Sequence, residues 1–388
     1  MRKISTVSLI VSLLATIGAA QARKISPTPC DPPVFHAPAA QAIDLVICLD
    51  TSGSMQGLID SARAKLWDIV SELSNVQPTP QLRVGLLTYG SPNTSSADKG
   101  WIVRQIGLTS DLDAVYERMM SMSITGGDEF VGWVLNDAVN TMDWSPDPSA
   151  LKLIFVAGNE SADQAAHQAN FRNVGSMAIA KGIKINAIYC GSQQQGLSEK
   201  WDQVARCGGG VFSTIDMQAA TAQVATPYDD ALLKLNIELN ATYIPFGKEG
   251  RKGRARQISA DASAESVGIA SAPSRVAAKA TVLYKNAKWD LVDAALDNDF
   301  KLEEVKENEL PAYMQKMAPK KRVDHIAQQR TLRASVQSKI QKVGRQRRTF
   351  LREEKSKSSS GKQGLDEALI KTIRKQAAEK GIVIKKSN

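Results

Sequence analysis

The run Leu45–Leu49, Leu-Val-Ile-Cys-Leu, constrains the fold more than any other stretch, because it is wholly apolar, mostly branched and shows no polar alternation. Such a run suits a strand covered on both faces, as in a parallel sheet between two helical layers. Asp50 follows at its carboxyl end, then Thr51-Ser-Gly-Ser54. Leu58, Ala62, Leu66, Ile69 and Leu73 recur at helical spacing, so residues 57–73 read as a helix and residues 51–56 as the strand-to-helix turn. That turn carries only oxygen donors. One carboxylate and two hydroxyls on a tight loop suit a hard divalent cation such as Mg2+, which takes oxygens octahedrally and keeps some water or borrows a ligand from a partner. Gly53 lets the backbone bend close to the ion. A helix cap and a turn-forming Asp would use the same residue types without a metal.

At these residues the chain resembles the von Willebrand factor type A (VWA) family, whose metal-ion-dependent adhesion site (MIDAS) opens with Asp-x-Ser-x-Ser after a central strand. Asp50, Ser52 and Ser54 match that pattern residue by residue. The resemblance covers about Ala42 to Val224. It implies a doubly wound, mostly parallel α/β sheet, with Ser52 and Ser54 as direct metal ligands and Asp50 bound directly or through water. It also makes Thr125 and Asp128, in Thr125-Gly-Gly-Asp-Glu129, further candidates, with Thr125 the switchable ligand. The implied cofactor is Mg2+, with Mn2+ or Ca2+ as alternatives. The pattern departs after Leu151–Val156, where family members end the strand with Thr-Asp-Gly and this chain has Ala157-Gly-Asn-Glu160. Gly158 takes the place of the Asp, and Asn159 or Glu160 is available as a substitute oxygen donor.

Along the chain, Leu82–Tyr89 reads as a second apolar strand and Trp101–Ile106 as an antiparallel edge strand. Ser110 is expected to cap the next helix. Residues 131–142 and 162–181 read as helices, Ile183–Cys190 as a strand, Trp201–Ala205 as a short helix, Gly210–Ile215 as the last strand and Ala219–Leu239 as a closing helix. Alternation of this kind gives a doubly wound sheet whose crevice lies at the carboxyl ends of the strands. No Gly-x-Gly-x-x-Gly follows a strand and no Gly-Lys-Ser/Thr occurs, so the nucleotide-loop reading has no motif behind it.

The flanks differ in kind. Residues 1–22, with Arg2 and Lys3, an apolar stretch and Ala20-Gln21-Ala22, read as a signal peptide, and residues 23–41 as an extended lead-in. The expected location is therefore outside the cytoplasm, periplasmic or secreted. In an oxidising compartment Cys190 and Cys207, which flank one loop and its helix, are the expected disulfide. The sheet domain is expected over 42–245, a linker over 246–275 and a basic helical extension over 276–388. The charge is split accordingly: of the formal +9, the part before Phe246 carries about −6 and the remainder about +15. From Val323, a long helix presents Ile326, Leu332, Val336, Ile340, Val343 and Phe350 as one narrow stripe, which must pack on the domain, a second copy or a partner. Residues 356–364 read as a spacer and 366–380 as a last helix.

Together these features point to a metal-dependent binding protein, not an enzyme, whose partner is a protein presenting a carboxylate. The basic extension could add an anionic cell-envelope polymer or a membrane surface; export argues against nucleic acid. Two alternatives stand beside this reading. One is a VWA-fold scaffold with an empty metal site that acts through its basic tail. The other is a metal-assisted hydrolase using Asp128 and Glu129, for which no Ser-His-Asp order or His-Glu-x-x-His is present.

Overall fold

The structure, a computed structural model, describes residues 42–77, 79–92, 95–164, 169–215, 224–357, 364–381 and 383–384. The expected signal peptide, the lead-in, Cys30, residues 165–168 of the helix expected over 162–181 and residues 219–223 of the expected closing helix lie outside them. Strand β1 (Ala42–Asp50) is buried along nearly its whole length and runs between β3 (Gln81–Tyr89) and β5 (Leu151–Gly158), parallel to both. A short β2 (Val76–Gln77) precedes β3, and β4 (Val103–Thr109) pairs antiparallel with β3 at one edge. Beyond β5, strands β6 (Ile183–Cys190) and β7 (Gly209–Ile215) complete the six-stranded order β4-β3-β1-β5-β6-β7. The winding direction reverses at β1, which opens a crevice at its carboxyl end, where Asp50 sits.

The side-chain alternation of β1 assigns the two faces. Ile43, Leu45, Ile47 and Leu49 enter one core cluster with helices α1 (Gln56–Leu73) and α2 (Leu112–Met120). Val46 and Cys48 enter the other, with α3 (Val131–Thr141), α4 (Phe171–Ala180) and, after the short α5 (Gln193–Ser198), α6 (Trp201–Cys207). Buried Asp44 on that second face is satisfied by Arg83, at 2.8 and 2.7 Å, and by the backbone N–H of Ser145 at 2.7 Å.

Asp111, not Ser110, caps α2, accepting from the Ala114 N–H at 3.0 Å; a carboxylate one position closer to the helix also favours the positive end of its dipole. Cys190 and Cys207 are free thiols, because Cys190 faces the α1 layer while Cys207 packs in the layer of α4 and α6. The segment 246–275 is not a linker. It follows α7 (Asp229–Asn240) and forms α8 (Gly250–Val267) and the start of α9 (Ser271–Lys279), with Gly253, Gln257, Ala260 and Ala264 as a buried stripe of mostly small residues. Small residues let helices approach closely, which is why a low-hydrophobicity sequence still packs.

After α10 (Leu291–Ala294) and α11 (Ala312–Gln315) comes the long basic helix α12 (Pro319–Lys357), followed by α13 (Leu365–Glu379) and β8 (Val383–Ile384). From Ala40 onward the chain is one compact unit. The stripe of α12 therefore lies on the protein's own helices: Val336 and Ile340 join the α1-side core, while Leu332, expected inside, is 47% exposed. Helix α13 returns to the sheet, where buried Gln376 and Asn186 exchange hydrogen bonds at 3.1 and 2.7 Å.

Buried ion pairs fasten these added helices. Arg275, 1% exposed, bonds Asp113 of α2 at 2.8 Å and Asp261 of α8 at 2.5 Å. Lys279 reaches Asp261 at 2.9 Å, and Arg347 reaches Asp229 at 2.8 Å. Arg333 donates to Asp290 at 2.7 Å, to Asp293 at 2.8 Å and to the Thr242 carbonyl at 2.9 Å, with its guanidinium 4.0 Å from the centre of the Tyr243 ring. Removing one partner of such a pair strands the other charge in the interior. Arg333→Ala is expected to lower unfolding free energy by about 3–5 kcal/mol, read from denaturant titration. A loss below about 1 kcal/mol, the range of an exposed pair, would contradict this account of how α12 is held.

Candidate functional site

The site begins with the turn after β1. Ser52 N–H donates to Asp50 Oδ1 at 2.7 Å, which folds the chain back over the carboxylate. Thr51 donates both its N–H and its hydroxyl to the Tyr89 carbonyl at 2.9 Å, pinning the turn to the end of β3. The Thr51 carbonyl in turn accepts from the Thr125 N–H at 3.0 Å, so the loop before α3 is docked on the turn by its backbone. The Thr125 hydroxyl hydrogen-bonds with that of Ser91. Ser54 is exposed, lies 3.4 Å from the Ser52 hydroxyl and is bonded by Asn159 Nδ2 at 3.1 Å. Four loop segments, following β1, β3 and β5 and preceding α3, therefore meet at one end of the sheet.

The sequence-based assignment needs one change. Asp128 is exposed, whereas Glu129 is 6% exposed and its carboxyl lies against the fully buried Asp50. The loop before α3 turns one of these two adjacent acids inward and leaves the other in solvent. Asp128 and Glu129 thus differ in burial, and the acid beside Glu129 is Asp50. Nothing in the local sequence marks which of the two acids enters; that depends on how the loop docks. Gly90, at φ +79°, closes the floor: a Cβ there would lie 2.9 Å from Asp50 Oδ1 and 3.1 Å from Glu129 Cγ.

Electrostatically the site is a pair of carboxyls that water does not solvate. Asp50 Oδ2 and Glu129 Oε2 are both buried without a hydrogen-bond partner. Burial pushes Asp50 up to about 7, against the opposing hydrogen bonds from Ser52. Burial, and then the neighbouring Asp50, push Glu129 up to about 8. Among the described residues no three His, Cys, Asp or Glu converge as a metal cage. A cation here would rest on Asp50 together with the hydroxyls of Ser52, Ser54 and Thr125, an all-oxygen set suited to a hard ion. The orphaned buried oxygens fit such an ion, since an unpaired buried acceptor is costly.

The sequence profile of the von Willebrand factor type A domain matches residues 44–224. This stretch is a VWA domain. No curated protein matches the chain. Among solved structures, a proximal thread matrix protein from the mussel byssus with a zinc-occupied MIDAS motif is similar at 18% identity and TM-score 0.35, over 46% of this chain and 43% of that one. A VWA protein from Catenulispora acidiphila is similar at 14% identity and TM-score 0.35, over 47% and 40%. The pilus adhesin SpaC of Lactobacillus rhamnosus GG is similar at 12% identity and TM-score 0.37, over 54% and 32%. The match spans less than half the length of each of these chains. In the VWA domain described here, the expected residues Asp50, Ser52, Ser54 and Thr125 come together, and Asp128 does not.

The shifts of Asp50 and Glu129 set a pH dependence. Their folded values, about 7 and 8, lie above the ordinary values near 4, so over that window the native state binds more protons than the unfolded chain. Their contribution is fully favourable below about pH 4 and is lost as pH rises through about 8. In chelator, the thermal midpoint of the wild type should therefore fall more steeply from about pH 5 to 8 than that of Asp50→Asn. Parallel profiles for the two proteins would contradict the buried pair.

Proposed function

We propose that this chain is an exported VWA-domain protein that binds a protein partner through a divalent cation held at Asp50, Ser52, Ser54 and Thr125. The observation that carries the reading is the buried Asp50 carboxylate, with one oxygen unpartnered, flanked by two serine hydroxyls at the switch point of the sheet. When bound, a divalent cation supplies an open coordination position that a partner's carboxylate oxygen can fill. Asp50 contributes charge, and its orientation is fixed by the Ser52 N–H. Exposed Ser54 and half-buried Asn159 form the rim over which the partner approaches. Thr125 is carried on a loop separate from the turn of Asp50, Ser52 and Ser54 and docked to it through the Thr51 carbonyl, which suits it to be the switchable ligand. The all-oxygen donor set favours Mg2+, Mn2+ or Ca2+ over zinc. Export rests on the sequence of residues 1–22.

A second contact is supported by α12. With its inner face packed on the protein's own helices, its exposed Lys320, Lys321, Arg330, Lys339, Lys342 and Arg345 remain on the outside, suited to an anionic envelope polymer. Both contacts are read in one experiment, retention of cell-envelope components on the immobilised full-length protein. A protein retained in Mg2+, released by EDTA and absent with Asp50→Ala is expected. Any polymer held by α12 should instead come off as salt shortens the screening length from about 8 Å at 0.15 M to 3 Å at 1 M. Retention indifferent to EDTA and to Asp50→Ala would overturn the cation-bridged reading.

A further inference from the structure

The place where a fourth-strand carboxylate would stand is sterically closed in this chain. A Cβ added to Gly158 would lie 2.4 Å from the Tyr89 hydroxyl and 3.1 Å from Asp50 Oδ2. Tyr89 cannot easily yield, because it is fully buried and donates its hydroxyl to the Ala157 carbonyl at 3.0 Å. The neighbours on β5 do not refill the position. Asn159 is engaged with Ser54 at the rim, and Glu160 is exposed, its backbone carbonyl taken by Trp201 Nε1 at 2.7 Å. The second carboxyl of the site arrives instead from the loop before α3, where Glu129 crosses above Gly90. Its Oε2 and Asp50 Oδ2 are the two buried oxygens of the site with no donor.

We propose that Glu129 is a ligand of the cation and replaces the carboxylate missing from β5, with Tyr89 enforcing the exchange by occupying the space at Gly158. The inference rests on the metal reading above. Two buried carboxylate oxygens on neighbouring acids, each without a donor, need a positive species beside them, since leaving each unpaired carries its full desolvation cost. The relocation keeps two carboxylates at the site and moves one from a rigid strand end to a loop that also carries Thr125. Two of the ligands then sit on one loop, held by the Thr125 N–H to the Thr51 carbonyl and by the Glu129 N–H to Gln164 Oε1 at 3.1 Å.

The test is Mn2+ binding to the full-length protein, measured from the loss of the free-ion paramagnetic resonance signal, with circular dichroism as the check on folding. Glu129→Gln should weaken Mn2+ binding by more than the roughly 10–100-fold that loss of an outer-shell partner costs. Asp128→Asn should leave it unchanged. Adding Tyr89→Phe and Gly158→Asp to Glu129→Gln should restore binding in part, because removing the hydroxyl opens room for the strand carboxylate. Should Glu129→Gln not fold, Glu129→Asp, which keeps the charge but is one methylene shorter, carries the same expectation of weakened binding. Wild-type affinity in Glu129→Gln, with binding abolished in Asp50→Ala, would overturn the Glu129 assignment and leave the metal reading standing. Shared proton occupancy of the acid pair is the competing arrangement, and it predicts no Mn2+ binding to the wild type, which would overturn both.

Discussion

Everything at the functional end of this protein follows from one constraint, a carboxylate held out of water at the carboxyl end of the central strand. Asp50 is fully buried with one oxygen unpartnered, and another acid, Glu129, lies beside it. Two such groups cannot both ionise cheaply in a dry site, so the arrangement persists only with protons or a cation between them. The surrounding sequence makes sense on that basis. Thr51 spends both of its donors on the Tyr89 carbonyl, Ser52 turns its N–H back to Asp50, and glycine occupies both positions where a side chain would press on the pair.

The C-terminal half solves a different problem with related physics. Its large positive charge is partly internal: Arg275, Lys279, Arg333 and Arg347 are buried and answered by Asp113, Asp261, Asp290 and Asp229. These pairs join segments far apart in sequence and make the added helices an outer layer of the VWA domain instead of a tail. Ion pairs of this kind contribute less to net stability than to defining which surfaces meet, because desolvation offsets most of their attraction. The outward lysines and arginines of α12 are thereby displayed along one rigid rod.

The sheet and the turn were legible because their signals are local. An unbroken apolar run, a helical repeat and Asp-x-Ser-x-Ser each lie within a few residues, and they place β1, α1, Asp50, Ser52 and Ser54. What sequence reasoning missed depends on distant partners. Arg333 and Arg347 complete the buried stripe of α12 with Val336, Ile340 and Gly344 at helical spacing, yet a hydrophobic pattern discounts them because their acids stand 40 and more residues away. Helix α8 looked like a linker because its buried positions are small or polar. Cys190 and Cys207 looked bridgeable because sequence distance does not show that a sheet separates them. The choice of Glu129 over Asp128 was invisible for the same reason, as it is made by the docking of a loop.

The account stands on a cation lying between Asp50 and the serines of the turn, and anomalous diffraction from crystals grown with Mn2+ tests that most directly. The expected result is a single strong anomalous peak at the end of β1, within about 2.0–2.3 Å of oxygens from Ser52, Ser54 and Glu129, with Asp50 and Thr125 each bound directly or through one water. A well-ordered site in millimolar Mn2+ that shows no peak there, with Asp50 and Glu129 hydrogen-bonded to each other through a proton, would contradict it.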